Sequence, residues 1–372
     1  FLPYGIMSEN LVSYLDEAIL SGSLSDVRVL LRGDSNNFPY QNNTGVFAIY
    51  GNVSDASYKF EPSWPELNKM NADLWFIGNS MDIAVTSAES YQHQINKASV
   101  VIEDFDLRPT TLLITSNSQG QLNSAGDYIR NSPLNEGVSP VIDILDMAGL
   151  FELDLDLTIP LTGDGKRISG EIRVNDATTI VTAINLMASN VTGSLQIENG
   201  FVTSRDLSAS ILGGKSNIVM KQTDTAQGLD TELSLVGEIT LPAVYDTFAD
   251  LIPNGLEGKT DYQATVAIPA NSDSFDVTID TRTLGMTSTI PHPLSKTADI
   301  GLPLKLKYQQ LSASESQFRL DWLDKFSFLS RYENDQMTAG IMGLGTNEVT
   351  LPLRNGIAIT GVADTLNLVA WL

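Results

Sequence analysis

The sequence predicts a mainly β fold: an elongated, repetitive, antiparallel curled sheet, groove-like or taco-like, with a few short helices. Three observations predict it. Apolar and polar residues alternate with period two, as in Phe151, Leu153, Leu155, Leu157 and Ile159 against Glu152, Asp154, Asp156 and Thr158. Turn residues punctuate such stretches at Thr162-Gly163-Asp164-Gly165, Asn199-Gly200, Gly213-Gly214 and Asn355-Gly356. A short helix, a small-residue turn and a strand also follow one another three times, with turn glycines Gly22, Gly149 and Gly255 lying 127 and 106 positions apart.

The first unit opens with a helix near 11–20, capped by Ser8 and ended by Gly22 in a left-handed conformation, before a strand over 24–31. Strand segments follow at 45–50 and 55–60. Pro65 suits the first position of a single helical turn over 64–70. A strand over 74–77 ends at the Gly78-Asn79 turn, and 124–131 forms another short helix. The second unit places a helix near 143–148 and a strand over 150–159. Its segments 170–174 and 194–198 repeat 45–50 and 74–77 at offsets of 125 and 121 positions. The third places a helix near 243–251 and a strand over 262–268, with more strands at 275–279, 302–308 and 326–329, beside 233–236 in the second. A strand-into-helix passage over 356–372 begins a fourth. The expected organisation is therefore 1–140, 141–241, 242–355 and 356–372. A sheet of this kind either closes on itself or curls into a trough with an open apolar inside, and periodicity is compatible with both.

Composition narrows the function. Acidic residues outnumber basic ones 45 to 22, a net charge of −23, which excludes nucleic acid as a partner because phosphate binding needs a cationic surface. Cysteine is absent, which removes disulfides, thiolate metal sites and cysteine nucleophiles. No apolar run reaches bilayer-spanning length. Both ends read as cut from a longer protein.

His93 and His292, the only histidines, stand far apart and read as structural. Gly213-Gly214-Lys215-Ser216 lacks the leading glycine of a phosphate loop, with Ala209 at that position. Glu152, Asp154 and Asp156 lie ~7 Å apart along one strand face, too far to converge on calcium, and read as a solvated face. No catalytic residue, metal site or cofactor is expected. Binding, transport or structure is the expected class. Leu153, Leu155, Leu157, Ile172, Val174, Leu195, Ile197, Leu207 and Ile211 are expected to share the dry face of one sheet.

Three further stretches carry a resemblance. Arg32-Gly33 with Phe38-Pro39-Tyr40, then Phe60-Glu61-Pro62-Ser63-Trp64-Pro65, then Ile290-Pro291-His292-Pro293-Leu294-Ser295-Lys296 resemble the YhdP-type branch of the AsmA-like family. Tyr40 and Ile290 depart from its pattern, which has Phe and Leu there. The resemblance implies a central periplasmic section of a Gram-negative envelope protein anchored in the inner membrane by an N-terminal helix absent from this chain. Its implied partners are phospholipid acyl chains, the inner membrane, and proteins of the periplasm or outer membrane. The nine dry-face residues would then line a hydrophobic groove carrying phospholipid towards the outer membrane. The alternatives are a structural or adhesive β-repeat protein with a closed core and, last, an enzyme on a β scaffold.

Overall fold

The computed structural model describes residues 9–38, 40, 44–133, 135, 141–248, 252–270, 272, 274–323, 325–334 and 336–362. Strand accounts for 64% of it, in one 21-stranded, mostly antiparallel sheet that is not closed into a barrel. The helices are short: α1 (Glu9–Ala18), α2 (Leu122–Arg130) and α3 (Leu241–Phe248). None among the described residues is long and apolar enough to cross a membrane.

Sequence neighbours pair as a meander. β1 (Ile19–Gly33), β2 (Gly45–Tyr58), β3 (Leu67–Ile77), β4 (Ser80–Ser90), β5 (His93–Ile102) and β6 (Thr111–Gln121) form consecutive antiparallel ladders. β7 (Leu145–Ala148) is a short insertion. β6 pairs instead with β8 (Leu150–Pro160), which pairs with β9 (Arg167–Val181). β10 (Leu186–Glu198) and β11 (Phe201–Ile211) follow. The meander continues through β12 (Gly214–Thr225), β13 (Gly228–Thr240), β14 (Leu256–Ile268) and β15 (Phe275–Thr281). β16 (Met286–Ser288) pairs beside the start of β14, and β15 pairs with β17 (Leu304–Gln310). β18 (Glu315–Trp322), β19 (Phe326–Glu333) and β20 (Gln336–Leu344) complete the antiparallel series. The departure is β21 (Gly356–Gly361), which lies parallel to β20 after the chain crosses over.

Contacts divide the chain into two compact units: 1–139, 148–175 and 194–202 in the first, 140–147, 176–193 and 203–372 in the second. In the first, α1 buries Leu15 and Ala18, and the Tyr14 and Tyr58 hydroxyls meet at 2.6 Å. Near α2 stands an aromatic cluster. Tyr128 lies 6.3 Å from Trp64 and 5.2 Å from His93, and His93 meets Phe151 edge-on at 4.9 Å. In the second, α3 buries Leu241 and Val244 with Met286, Ile290, Leu294 and Trp322.

Several sequence expectations need correction. The first helix ends at Ala18, and Ile19 and Leu20 already belong to β1. Ser21-Gly22 is therefore no turn; it lies where the β1–β2 register shifts, with Gly22 at φ 142°. Helix over 143–148 is wrong, because only 141–143 is helical and Leu145–Ala148 is strand. Residues 64–66 form no helical turn, and β3 starts at Leu67. The helix expected at 124–131 is α2, shifted by two residues at its start. The third helix is α3, with 249–251 outside the described residues, as are the Ser8 cap and the helix expected after β21. Segments 45–50 and 55–60 belong largely to one strand, β2, kinked by a bulge.

That bulge recurs. Asp55 and Lys69 hold φ of 49° and 51° on β2 and β3, and Asp176 and Asn190 hold 55° and 52° on β9 and β10, both pairs at an offset of 121 positions. In the second pair the Asn190 amide donates to Asp176 Oδ1 at 2.7 Å. Asn and Asp tolerate left-handed backbone better than most residues, so the strands can bend there at little cost.

Two predictions follow from this packing. Gly193 has φ 137°, and a Cβ there would lie 2.6 Å from the Asp206 carbonyl oxygen and 2.9 Å from Leu207 Cα. Gly193→Val should lower stability by about 2 kcal/mol or more in a melting experiment, because backbone strain and backbone overlap add. The second concerns His93. Burial among rings holds its pKa below the ordinary histidine value, opposed by a hydrogen bond with the Ser124 backbone. The unfolded chain therefore binds a proton more readily than the folded one. Stability from this group is complete above the unfolded pKa and is lost as pH falls through about 6.5 towards the lower folded value. Thermal stability should drop more between about pH 7.5 and about pH 5 in the native chain than in His93→Phe.

Candidate functional site

The sheet's ladders place apolar side chains in lines across successive strands. In the first unit Gly51, Leu74, Ile83, Val100, Ile114, Leu157 and Ile168 stand opposite one another from β2 to β9. The next rung is Val53, Ala72, Val85, Ala98, Ser116, Leu155 and Gly170. Ile83, Val100, Ile114, Leu157 and Ile168 are all buried. Towards β1 the face opens, and Val29 and Leu31, opposite Ile49 and Phe47, are 63% and 61% exposed.

The residues expected on a dry face fall as follows. Leu153, Leu155, Leu157 and Val174 are buried, and half-buried Ile172 stands opposite Leu153. Val174 stands opposite Phe151. On β10, Gln196 donates to Glu171 Oε1 at 2.8 Å and so lies on the polar face. Leu195 (half-buried) and Ile197 (buried) accordingly point to the apolar one. These seven belong to the first unit. Leu207 and Ile211 belong to the second, where Leu207 stands opposite Ile218 and Ile211 packs with Ala188 and Ala209.

Sequence reasoning missed the longest rung. In the second unit Leu207, Ile218, Leu235, Ala264, Ile279, Leu306, Leu320, Phe328, Met342 and Ile359 stand in register across ten strands from β11 to β21. Ala264 is buried; Ile218, Leu235, Ile279, Leu306, Leu320, Phe328 and Met342 are only half-buried, and Ile359 is 68% exposed. Period two had marked most of these strands. Their mutual register also needed turns the sequence reading did not mark, such as Ala226-Gln227, which fix which residues face each other.

The opposite face is polar and paired. Arg173 bridges Glu152, Asp154 and Glu171, with the closest oxygens of the last two at 2.5 Å. The Asn117 amide, then the Arg173 guanidinium, hold Asp154 below the usual carboxylate range. The expected solvated acidic face is thus cross-linked by one arginine. In the second unit Lys259–Glu238 at 2.8 Å, Lys307–Asp276 at 3.4 Å and Lys305–Asp280 at 3.7 Å repeat the arrangement. Each exposed pair adds little stability; together they keep this face wetted.

No group of three or more His, Asp or Glu able to hold a metal occurs among the described residues. His93 Nε2 faces rings with no hydrogen-bond partner among them. What the geometry offers chemically is an aligned non-polar face in each unit, able to take up non-polar groups from water.

Comparison with known proteins adds identity to that geometry. The model of a family described as YhdP protein matches residues 1–372. The chain is 23% identical over 310 residues to the intermembrane phospholipid transporter YhdP of Escherichia coli (strain K12), covering 82% of this chain and 24% of that protein. The chain thus spans about a quarter of the length of the curated relative it matches. No solved structure matches it.

The two rungs should respond differently to charge. Leu157→Asp buries a carboxylate in a filled core and should cost about 3–5 kcal/mol. Leu320→Asp, on the half-buried rung, leaves the carboxylate partly hydrated and should cost about 1–2 kcal/mol. Parallel melting curves check the ordering.

Proposed function

This chain belongs to the YhdP protein family, and from that premise we propose that the apolar face of its sheet is a path for phospholipid acyl chains between the membranes of the cell envelope. The half-buried rung from Leu207 to Ile359 carries this reading. It presents non-polar side chains in an unbroken line and leaves all but Ala264 partly accessible. A dry core would bury them; a soluble surface would not align them.

Each methylene of an acyl chain gains about 0.8 kcal/mol on leaving water for such a surface. A bilayer offers the same gain, so transfer along the face is nearly level in energy and the protein acts as a conduit. It is a carrier and not an enzyme. In this reading the segment lies in the periplasm of a longer protein anchored in the inner membrane, and it passes lipid towards the outer membrane. In the first unit Leu153, Leu155, Leu157, Ile172, Val174, Leu195 and Ile197 would line such a face, and in the second Leu207 and Ile211 would belong to it. The units 1–140, 141–241, 242–355 and 356–372 are, in this reading, repeats of one path-forming element. One observation favours a second reading for the first unit: its rung is buried, as a closed structural core requires.

The test is charge on the path of the full-length protein. Leu320→Asp and Phe328→Asp should accumulate to native levels yet fail to complement an envelope-lipid defect. Full complementation by both folded variants would exclude transport along this rung.

A further inference from the structure

One stretch of the second unit lies across the apolar face instead of forming it. Between β15 and β17 the chain runs from Arg282 to Pro303, and its Met286, Ile290 and Leu294 pack with Leu241 and Val244 of α3 onto Trp322. Leu304, Leu320 and Phe326 pack against the same cluster. Leu304, Trp322, Phe326 and Leu344 form one rung, and Leu306, Leu320, Phe328 and Met342 form the next. Residues two apart on a strand are ~7 Å apart, so the two rungs are separated by that distance. Trp322 is 5% exposed and Leu304 and Phe326 pack beside it in the cluster, whereas on the second rung the cluster reaches Leu320. The stretch therefore covers one margin of the face and stops short of its middle.

A single cation lies inside this cover. Lys296 is 6% exposed, and its Nζ donates to the carbonyls of Thr283, at 2.8 Å, and of Met286. Its backbone pairs both ways with Ser288, at 2.9 and 3.0 Å. Thr283, itself fully buried, donates its hydroxyl to the Leu302 carbonyl at 2.9 Å. Two separate points of the stretch, Thr283 and Met286, thus converge on one ammonium group, and Ser288 fixes the lysine backbone. Removing an ammonium from water costs several kcal/mol unless other oxygens replace its hydration. An arrangement that withdraws those carbonyls while the ammonium stays buried strands the charge, so the lysine favours this packing over other closed ones.

We propose that Lys296 is a positioning residue that pins this stretch as a floor along one margin of the apolar face, confining acyl chains to the side of Leu306 and Phe328. The inference rests on the lipid-path reading and adds a boundary to it. Leu304 and Leu306 make the contrast, because they are successive same-face residues of β17 on opposite sides of that boundary.

The experiment replaces Leu304 or Leu306 with a photo-crosslinking residue in the full-length protein, in cells whose phospholipid carries radioactive phosphate. Label should attach at 306 and not at 304. In a Lys296→Met background that retains a cooperative melting curve, label at 304 should rise to the level at 306. Leu294→Ala, which loosens the same floor without touching the lysine, should produce the same gain. Equal label at both positions in the native background overturns the floor while leaving the lipid path standing. A pattern unchanged by Leu294→Ala overturns the floor as well, and one unchanged by Lys296→Met alone overturns the lysine's role. Label at neither position removes the lipid path from this segment, and the proposal with it.

Discussion

Backbone hydrogen bonds between neighbouring strands hold Ile279, Leu306, Leu320 and Phe328 in one line, and every functional property of the face depends on that register. Slipping β17 by one residue would bring Lys305 or Lys307 onto the rung in place of Leu306. The ion pairs Lys305–Asp280 and Lys307–Asp276 on the other face oppose such a slip, since it would separate both. Polar pairing on one face and apolar alignment on the other are two consequences of the same ladder. Short turns set it, and positive-φ residues such as Asp176 and Asn190 absorb the bends without breaking it.

Much of this was legible in the sequence, and the reasons are specific. Glu152, Asp154 and Asp156 alternate so regularly with Leu153, Leu155 and Leu157 that the two faces of β8 could be assigned by inspection. Helix boundaries were less legible. Residues 145–148 have helical composition, yet Leu145–Ala148 is drawn into the sheet, where ladder bonds outweigh a weak local preference. Pro65 suggested a helical turn, while its neighbour Trp64 is instead buried 5.6 Å from Phe60. The parallel β21 was not legible, because no local pattern distinguishes a crossover return from another hairpin. Lys296 was legible only as the end of a stretch carrying the family resemblance; the carbonyls of Thr283 and Met286 that hold it come together only in the fold.

The two compact units use the same pattern to different ends. The first fills its rung until Leu157 and Ile114 are inaccessible; the second leaves Leu306 and Phe328 half-open. Burial of the first kind supplies stability, at roughly 1.5–3 kcal/mol for each large side chain. Partial exposure forgoes some of it, and a protein retains an aligned, accessible apolar surface when something non-polar is to be bound there.

Native mass spectrometry of the full-length protein, extracted gently from membranes, is the most direct test of a lipid path on this face. The account predicts bound masses in the phospholipid range that diminish when Leu320 and Phe328 are both replaced by Asp. A folded native protein that carries no phospholipid, or a doubly substituted one that carries as much as the native, would contradict it.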